Sequence, residues 1–170
     1  MRANYTHGGW VTVRLTSRWP YNPLSLVVGV LSGSRQFSHA IAIIGERAYE
    51  ASMSHACRAG TLDELMDGVA LYRDMDVWVP DLGGAIAFAE AQVGKRYDWA
   101  GAIGIPFTFS EDWNDDTAWW CSELVFAIIL AGGVELLDPA YIRRVRPIDL
   151  HMIAIQKSAL VRVRELPAIP

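Results

Sequence analysis

The sequence predicts an α+β protein in which a mostly antiparallel sheet, or a small barrel, packs against helices. Short alternating or apolar segments come first, two long helical segments follow, and one more alternating segment lies near the end. Strands that largely precede the helices are typical of the α+β class rather than of alternating α/β folds. The length of 170 residues and the hydrophobic content of 52% fit one globular domain spanning residues 1–170.

A β-hairpin is the clearest strand signal. His39–Ile44 is apolar after its first residue and predicts a central strand, Gly45 and Glu46 predict a turn, and Ala48–Ala56 predicts the return strand. The other segments with a strand pattern are 10–15, 69–72, 75–79 and 160–164, and the apolar stretch 24–31 fits either a buried strand or a short helix.

The helices are predicted from residues that are typical of helix starts and helix ends. Thr61 and Glu64 have the spacing of a capping box, which predicts that a helix begins there. Asp81–Val93 is rich in alanine and is followed by Gly94, and Thr117–Ala131 is followed by two glycines. Both longer segments are therefore expected to be helices.

Composition narrows the function classes. The formal net charge is −4 and no run of Lys or Arg exceeds two, so a nucleic-acid partner is not expected. No apolar stretch approaches the roughly 20 residues that cross a bilayer, and residues 1–12 lack the apolar core of a signal peptide. A cytoplasmic location is the default expectation, with export by another route left open. The oligomeric state cannot be inferred from these features.

Cys121 is the candidate nucleophile. It lies in the segment Trp120-Cys121-Ser122-Glu123, early in a predicted helix, where unpaired N–H groups and the helix dipole favour a thiolate. The alternative is a buried cysteine that packs as a small hydrophobic residue.

His39 and Glu50 are the candidate partners of Cys121. The predicted hairpin brings Glu50 near His39, and a carboxylate inside an apolar hairpin needs a partner. The three side chains then meet the requirements for a nucleophile, a base and a group that orients the base. The alternatives are a structural histidine and a solvent-facing glutamate.

Zinc is an alternative use of the same region. His55 and Cys57 follow closely, and with His39 and Glu50 they offer four ligand types that zinc accepts. The His-x-Cys spacing is uncommon for zinc, and within one strand Glu50 and His55 would face opposite sides. No metal or other cofactor is therefore predicted.

Five ordered segments resemble one family. They are 37–41 (Phe-Ser-His-Ala-Ile), 49–51 (Tyr-Glu-Ala), 94–99 (Gly-Lys-Arg-Tyr-Asp-Trp), 120–125 (Trp-Cys-Ser-Glu-Leu-Val) and 146–150 (Arg-Pro-Ile-Asp-Leu). Together they resemble the circularly permuted NlpC/P60 superfamily, the permuted papain-like amidases of the YiiX/YaeF type, in which the histidine strand precedes the cysteine helix. The resemblance covers roughly residues 23–150. His55, Cys57 and the segment Phe107–Asp116 are not part of the family pattern.

The resemblance implies a papain-like fold and a catalytic triad. Cys121 would be the nucleophile, His39 the base and Glu50 the third, polar member. Tyr97 matches a tyrosine near the family's active site that assists the oxyanion or the substrate, although it could equally be an aromatic residue packed against the cysteine helix. The segment near Arg146 resembles the family's closing loop and is assigned no chemistry.

The expected activity is that of a thiol hydrolase. Relatives include cell-wall peptidases, amidases and lipid acyltransferases, so the substrate is a small molecule, a peptide or a lipid. We expect hydrolysis of a peptide-like amide, such as one in a cell-wall peptide, through a thioester. One alternative is lipid deacylation or acyl transfer, because an apolar groove formed by the aromatic residues before the cysteine would suit an acyl chain, although the same residues could simply belong to the core. These residues are Phe107, Phe109, Trp113, Trp119 and Trp120. The other alternative is a non-catalytic binding module that retains the fold.

Overall fold

The computed structural model describes residues 7–17, 37–99, 117–139, 141, 145–156 and 161–164. The strands are β1 (Gly9–Ser17), β2 (His39–Ile44), β3 (Arg47–Ser52), β4 (Ala56–Gly60), β5 (Leu71–Val79), β6 (Arg96–Tyr97), β7 (Ala118–Trp119) and β8 (Val161–Arg164). The helices are α1 (Leu62–Leu65), α2 (Leu82–Gln92), α3 (Cys121–Ala131) and α4 (Pro147–Gln156).

Six of the strands form one antiparallel sheet in the order β4-β3-β2-β1-β5-β8. The described elements thus have the predicted α+β class. Strands β6 and β7 form a separate parallel pair, in which Tyr97 lies opposite Trp119. No helix among the described residues is long and apolar enough to cross a membrane.

The alternation of β1 explains which face of the sheet is covered. Val11, Val13 and Leu15 are at most 1% exposed and belong to the main core, together with the inner side of α3. On the opposite face Arg14 donates two hydrogen bonds of 2.7 Å to Asp74, so polar groups there are paired across strands. The main core therefore lies between the sheet and the helices.

The hairpin of β2 and β3 positions the candidate site. Gly45 has φ = +61° at the turn, a conformation that glycine adopts without a steric penalty, and Ala42 pairs with Tyr49. Helix α3 packs against both strands. The first residue of β2 and the first residue of α3 consequently meet at one end of the sheet.

Four expectations about the elements need correction. Residues 48–56 are not one strand, because a turn at 53–55 separates β3 from β4. Segments 69–72 and 75–79 belong largely to one strand, β5, which pairs along its whole length with β1. The second long helix begins at Cys121 rather than at residue 117, and α4 was not predicted.

Two sequence segments lie outside the described residues. They are the apolar stretch 24–31 and the aromatic segment 107–116, including Trp113.

Candidate active site

Cys121 is the first residue of α3. Trp120 is the N-cap and has extended backbone angles, but it makes no side-chain hydrogen bond to the helix. An indole cannot accept a hydrogen bond as the usual capping residues do, so the side chain of Trp120 satisfies none of the N–H groups in the first turn of α3. The local arrangement favours a thiolate at Cys121 and an oxyanion next to it.

Aromatic side chains hold this helix start in place. Trp119 donates a 3.0 Å hydrogen bond from Nε1 to Gln92 and packs edge-on against Phe88 with ring centroids 5.8 Å apart. Trp120 is only 4% exposed. Trp120 belongs to the main core, and Trp119 is partly buried and packs against that core.

His39 lies between Cys121 and Glu50. Its Nε2 is 2.7 Å from Glu50 Oε2. Because an ionised carboxylate can only accept, Nε2 carries the proton and donates to Glu50. The pKa values of His39 and Cys121 each respond to the other group, and because Nε2 is engaged by Glu50, Nδ1 is the ring nitrogen left for the sulfur.

The two partners of His39 lie on different sides of the sheet. By the strand register, His39 and Glu50 share the face that also carries Ile41, whereas Cys121 belongs to the main core on the other face. His39 can contact both because it is the first residue of β2, at the end of the strand.

Arg58 is the residue that sequence reasoning missed. It lies on β4 directly opposite Glu50, and its Nε donates a 2.7 Å hydrogen bond to Glu50 Oε1. A second guanidinium nitrogen is 2.6 Å from the same oxygen. Arg58 therefore contacts one carboxylate oxygen while His39 contacts the other, which fixes the orientation of a side chain that is only 1% exposed.

The charges at the site shift the pKa values of His39 and Cys121 in opposite directions. Burial alone would lower the pKa of His39, but its hydrogen bonds with Cys121 and Glu50 and their negative charges outweigh burial and raise it to about 10. Burial alone would raise the pKa of Cys121, but His39, the backbone N–H of Ala40 and the hydroxyl of Ser122 lower it. Both shifts favour a thiolate beside an imidazolium over the neutral pair.

The carboxylate of Glu50, the third member of the site, also stays ionised because of its partners. Burial would raise the pKa of Glu50, but its contacts with His39 and Arg58 lower it to about 2. Glu50 thus carries a negative charge throughout the neutral range and stabilises the imidazolium of His39.

Tyr97 lies near the sulfur. Its pKa is raised, first by burial and then by the negative charges of Cys121 and Asp98, so the phenol stays protonated and can donate a hydrogen bond. Its ring packs edge-on against Trp99 with centroids 5.5 Å apart. These contacts of Tyr97 are compatible with both of its expected roles, an oxyanion donor and a packed aromatic residue.

The zinc alternative does not fit the positions of its ligands. His39 and Glu50 are together, but Cys57 is 3% exposed in the main core and its sulfur is 3.9 Å from the carbonyl oxygen of Arg96. His55 lies on the exposed turn between β3 and β4. Within the described ranges, no group of three or more His, Cys, Asp or Glu side chains could hold a metal ion.

Comparison with other proteins does not extend this picture. No protein-family model, curated protein or solved structure matches the chain.

Proposed function

We propose that this protein is a cysteine hydrolase that cleaves a peptide-like amide through a thioester, with Cys121 as nucleophile, His39 as acid and base, and Glu50 as the orienting group. The observation that carries the proposal is the position of His39, which is hydrogen-bonded to Glu50 on one side and interacts electrostatically with Cys121 on the other, at the junction of a helix N-terminus and a strand end. The family resemblance supports a permuted papain-like arrangement, because the histidine strand precedes the cysteine helix here.

The first half-reaction would form the thioester. The Cys121 thiolate attacks the carbonyl carbon of the amide, and the oxygen takes up the negative charge. The backbone N–H of Cys121 and the phenol of Tyr97 are the donors available to that oxygen. The C–N bond then breaks as the His39 imidazolium gives its proton to the leaving nitrogen, which departs as an amine.

The second half-reaction would restore the enzyme. Neutral His39 takes a proton from water as the water oxygen attacks the thioester carbon, and the C–S bond breaks to release a carboxylic acid and the thiolate. Glu50 accepts from Nε2–H throughout, so the ring keeps Nδ1 toward the reacting atoms.

The pH dependence follows from the two shifted groups. Activity should rise with pH as the Cys121 thiolate forms, at a pH below the ordinary pKa of 9.0, and should fall at high pH as His39 loses its proton near about 10. A non-catalytic module would not require a thiolate and an imidazolium held together in this way.

The two cysteines of the chain provide a matched test. The pKa of Cys57 is raised to about 11, chiefly by burial, so that thiol should be inert near neutral pH. We expect iodoacetamide to label the Cys57→Ser variant as it labels the wild type, and the Cys121→Ser variant to lose labelling. Hydrolysis of peptidyl aminocoumarin amides should be lost in the same variant. Equal labelling of both variants, or full hydrolysis without Cys121, would refute the proposal.

A further inference from the structure

A groove of about 640 Å³ opens between the turn that joins β3 to β4 and the segment 96–99. Backbone hydrogen bonds join its two walls. The N–H of Cys57 donates to the carbonyl of Lys95 at 2.9 Å, and the N–H of Gly94 donates to the carbonyl of Cys57 at 2.8 Å. The groove is therefore built on paired backbone. Its lining includes Met53, His55, Arg96, Tyr97, Asp98 and Trp99.

Strand pairing places one wall beside the candidate nucleophile. Tyr97 lies directly opposite Trp119 in the pair of β6 and β7, and the N–H of Asp98 donates to the carbonyl of Trp119 at 3.0 Å. Cys121 is the second residue after Trp119. Neighbouring strands lie about 4.8 Å apart and two residues span at most about 7 Å, so the Cα atoms of Tyr97 and Cys121 lie within about 12 Å of each other.

The other wall is close to Glu50. Strand β3 carries Glu50 and ends at Ser52, which pairs with Ala56 across the turn. Glu50 in turn contacts His39 at 2.7 Å. Both walls of the groove are thus continuations of elements that position the candidate catalytic residues.

We propose that this groove binds an aromatic side chain of the peptide-like substrate, with Trp99 and Met53 as its contacts and Tyr97 holding Trp99 in place. The proposal rests on the proposed function, since it assigns the groove to the substrate of Cys121. It names a substrate class, an amide with an aromatic residue within three or four positions of the bond that is cleaved, because about 12 Å is the span of that many extended residues.

The two charged groups of the groove are already engaged within the fold. Asp98 is only 3% exposed, and the guanidinium of Arg96 contacts the hydroxyl of Thr117 at 3.5 Å. Both side chains make further interactions besides these. Apolar surface, in contrast, gains free energy whenever a ligand removes it from water. The part of the groove with most to gain from a ligand is therefore its aromatic part.

Trp99 is the most exposed of the apolar side chains that line the groove. It is 49% exposed, yet its ring packs edge-on against Tyr97, with centroids 5.5 Å apart and planes at 76°. A ring that is already oriented loses little conformational entropy when a ligand packs against it. Two rings at nearly a right angle form a corner in which a third ring can make stacked and edge-on contacts. Met53, on the other wall, offers a thioether, which also contacts aromatic rings favourably.

Alkylation of Cys121 can test this assignment without a known substrate. In the Cys57→Ser background, the Cys121 thiolate displaces iodide from N-iodoacetylphenylalaninamide or from N-iodoacetylalaninamide. The two reagents differ only in a phenyl ring, so the ratio of their alkylation rates measures the preference for an aromatic side chain. We expect this ratio to fall roughly three- to tenfold in Trp99→Ala and by a smaller factor in Met53→Ala. Trp99→Phe should retain most of it.

Trp78→Ala is the matched control and should leave the ratio unchanged. Trp78 is 42% exposed and lies opposite Trp10, whereas His39 lies opposite Thr16, about 20 Å further along β1. An unchanged ratio in Trp99→Ala would overturn the proposal. A larger loss in that variant for N-iodoacetyloctylamine than for the phenylalanine reagent would also overturn it, because the groove would then hold an acyl chain.

Binding can be measured separately from the reactive thiol. In Cys121→Ala, titration with N-acetylphenylalaninamide should shift the indole N–H NMR signal of Trp99, identified with Trp99→Phe among the seven tryptophans. N-acetylalaninamide should shift this signal much less. Equal shifts with the two amides, or no shift with either, would overturn the groove assignment. Failure of Cys121 to react faster than Cys57 with iodoacetamide would instead refute the proposed function, so the two failures are distinguishable.

Discussion

Replacing Glu50 by glutamine should cost about 3 kcal/mol of stability at neutral pH. Glu50 is buried and contacts His39 at 2.7 Å and Arg58 at 2.6 Å, and its pKa lies at about 2 instead of 4.5. At about 1.4 kcal/mol for each pKa unit, this lowering corresponds to about 3 kcal/mol in favour of the ionised folded state. Loss of one partner of a buried charged pair has effects of this size.

The loss should depend on pH with a defined sign. The pKa of Glu50 is lower in the folded than in the unfolded chain, so its contribution is complete above about 4.5 and disappears as the pH falls toward 2. Urea unfolding of wild type and Glu50→Gln should therefore give curves that differ by about 3 kcal/mol at pH 7 and converge near pH 2. Glu46→Gln, on the exposed turn of the same hairpin, is the matched control and should stay within about 0.5 kcal/mol of wild type.

The same variant should weaken the catalytic pair. With the negative charge removed, the pKa of His39 should fall from about 10 toward 6.5, which histidine NMR signals would report. A stability difference that is independent of pH, or an unchanged His39 pKa, would refute the assignment of Glu50 as the orienting carboxylate.

Three further substitutions test the other parts of the site. Arg58→Ala should lower kcat/KM about tenfold and should also lower the pKa of His39, because Glu50 loses its second partner. Arg58→Lys should restore part of both quantities. Equal effects of the Ala and Lys variants would contradict a positioning role. Tyr97→Phe should lower kcat roughly 100-fold on an aminocoumarin amide with little change in KM if the phenol is an oxyanion donor, whereas an unchanged kcat would leave Tyr97 as a packing residue. Ala56→Gly should raise the free energy of unfolding by about 0.5 to 1 kcal/mol because it relieves the positive φ, whereas the same change at buried Ala48 should lower it; destabilisation by Ala56→Gly in thermal or urea unfolding would show that Ala56 is not strained.

The hairpin that positions His39 and Glu50 could be predicted because its signals are local. An apolar strand, a Gly-Glu turn and a second strand follow each other directly, and the register is set by the turn. A partner for Glu50 could also be predicted, because a buried carboxylate is costly unless it is hydrogen-bonded or paired. In the structure that partner is His39, at 2.7 Å.

Arg58 could not be predicted because the second hairpin has an unusual turn. Its left-handed residue is Ala56, whereas glycine or asparagine is the ordinary signal for that conformation. The stretch from residue 48 to residue 56 therefore had the pattern of one strand, and Arg58 was not expected opposite Glu50.

The first residue of α3 is determined by strand pairing between residues that are far apart in the sequence. Residues 118 and 119 pair with 96 and 97, which are 22 positions earlier in the chain, and no local pattern predicts that contact. The short strand delays the helix to Cys121 and places the sulfur in its first turn. Helix α4 had a local signal, because proline is favoured at the first helical position and Pro147 is the first residue of this helix. The segment was nevertheless interpreted as a loop.

The pH dependence of Cys121 alkylation tests the central claim most directly. In the Cys57→Ser background, the rate with iodoacetamide reports the thiolate of Cys121 alone. The structure predicts that the alkylation rate reaches its plateau at a pH well below 9.0, the ordinary pKa of a cysteine thiol. In His39→Ala the midpoint of the pH profile should return toward 9.0. A single transition at or above 9.0 that does not change when His39 is replaced would contradict the thiolate–imidazolium pair.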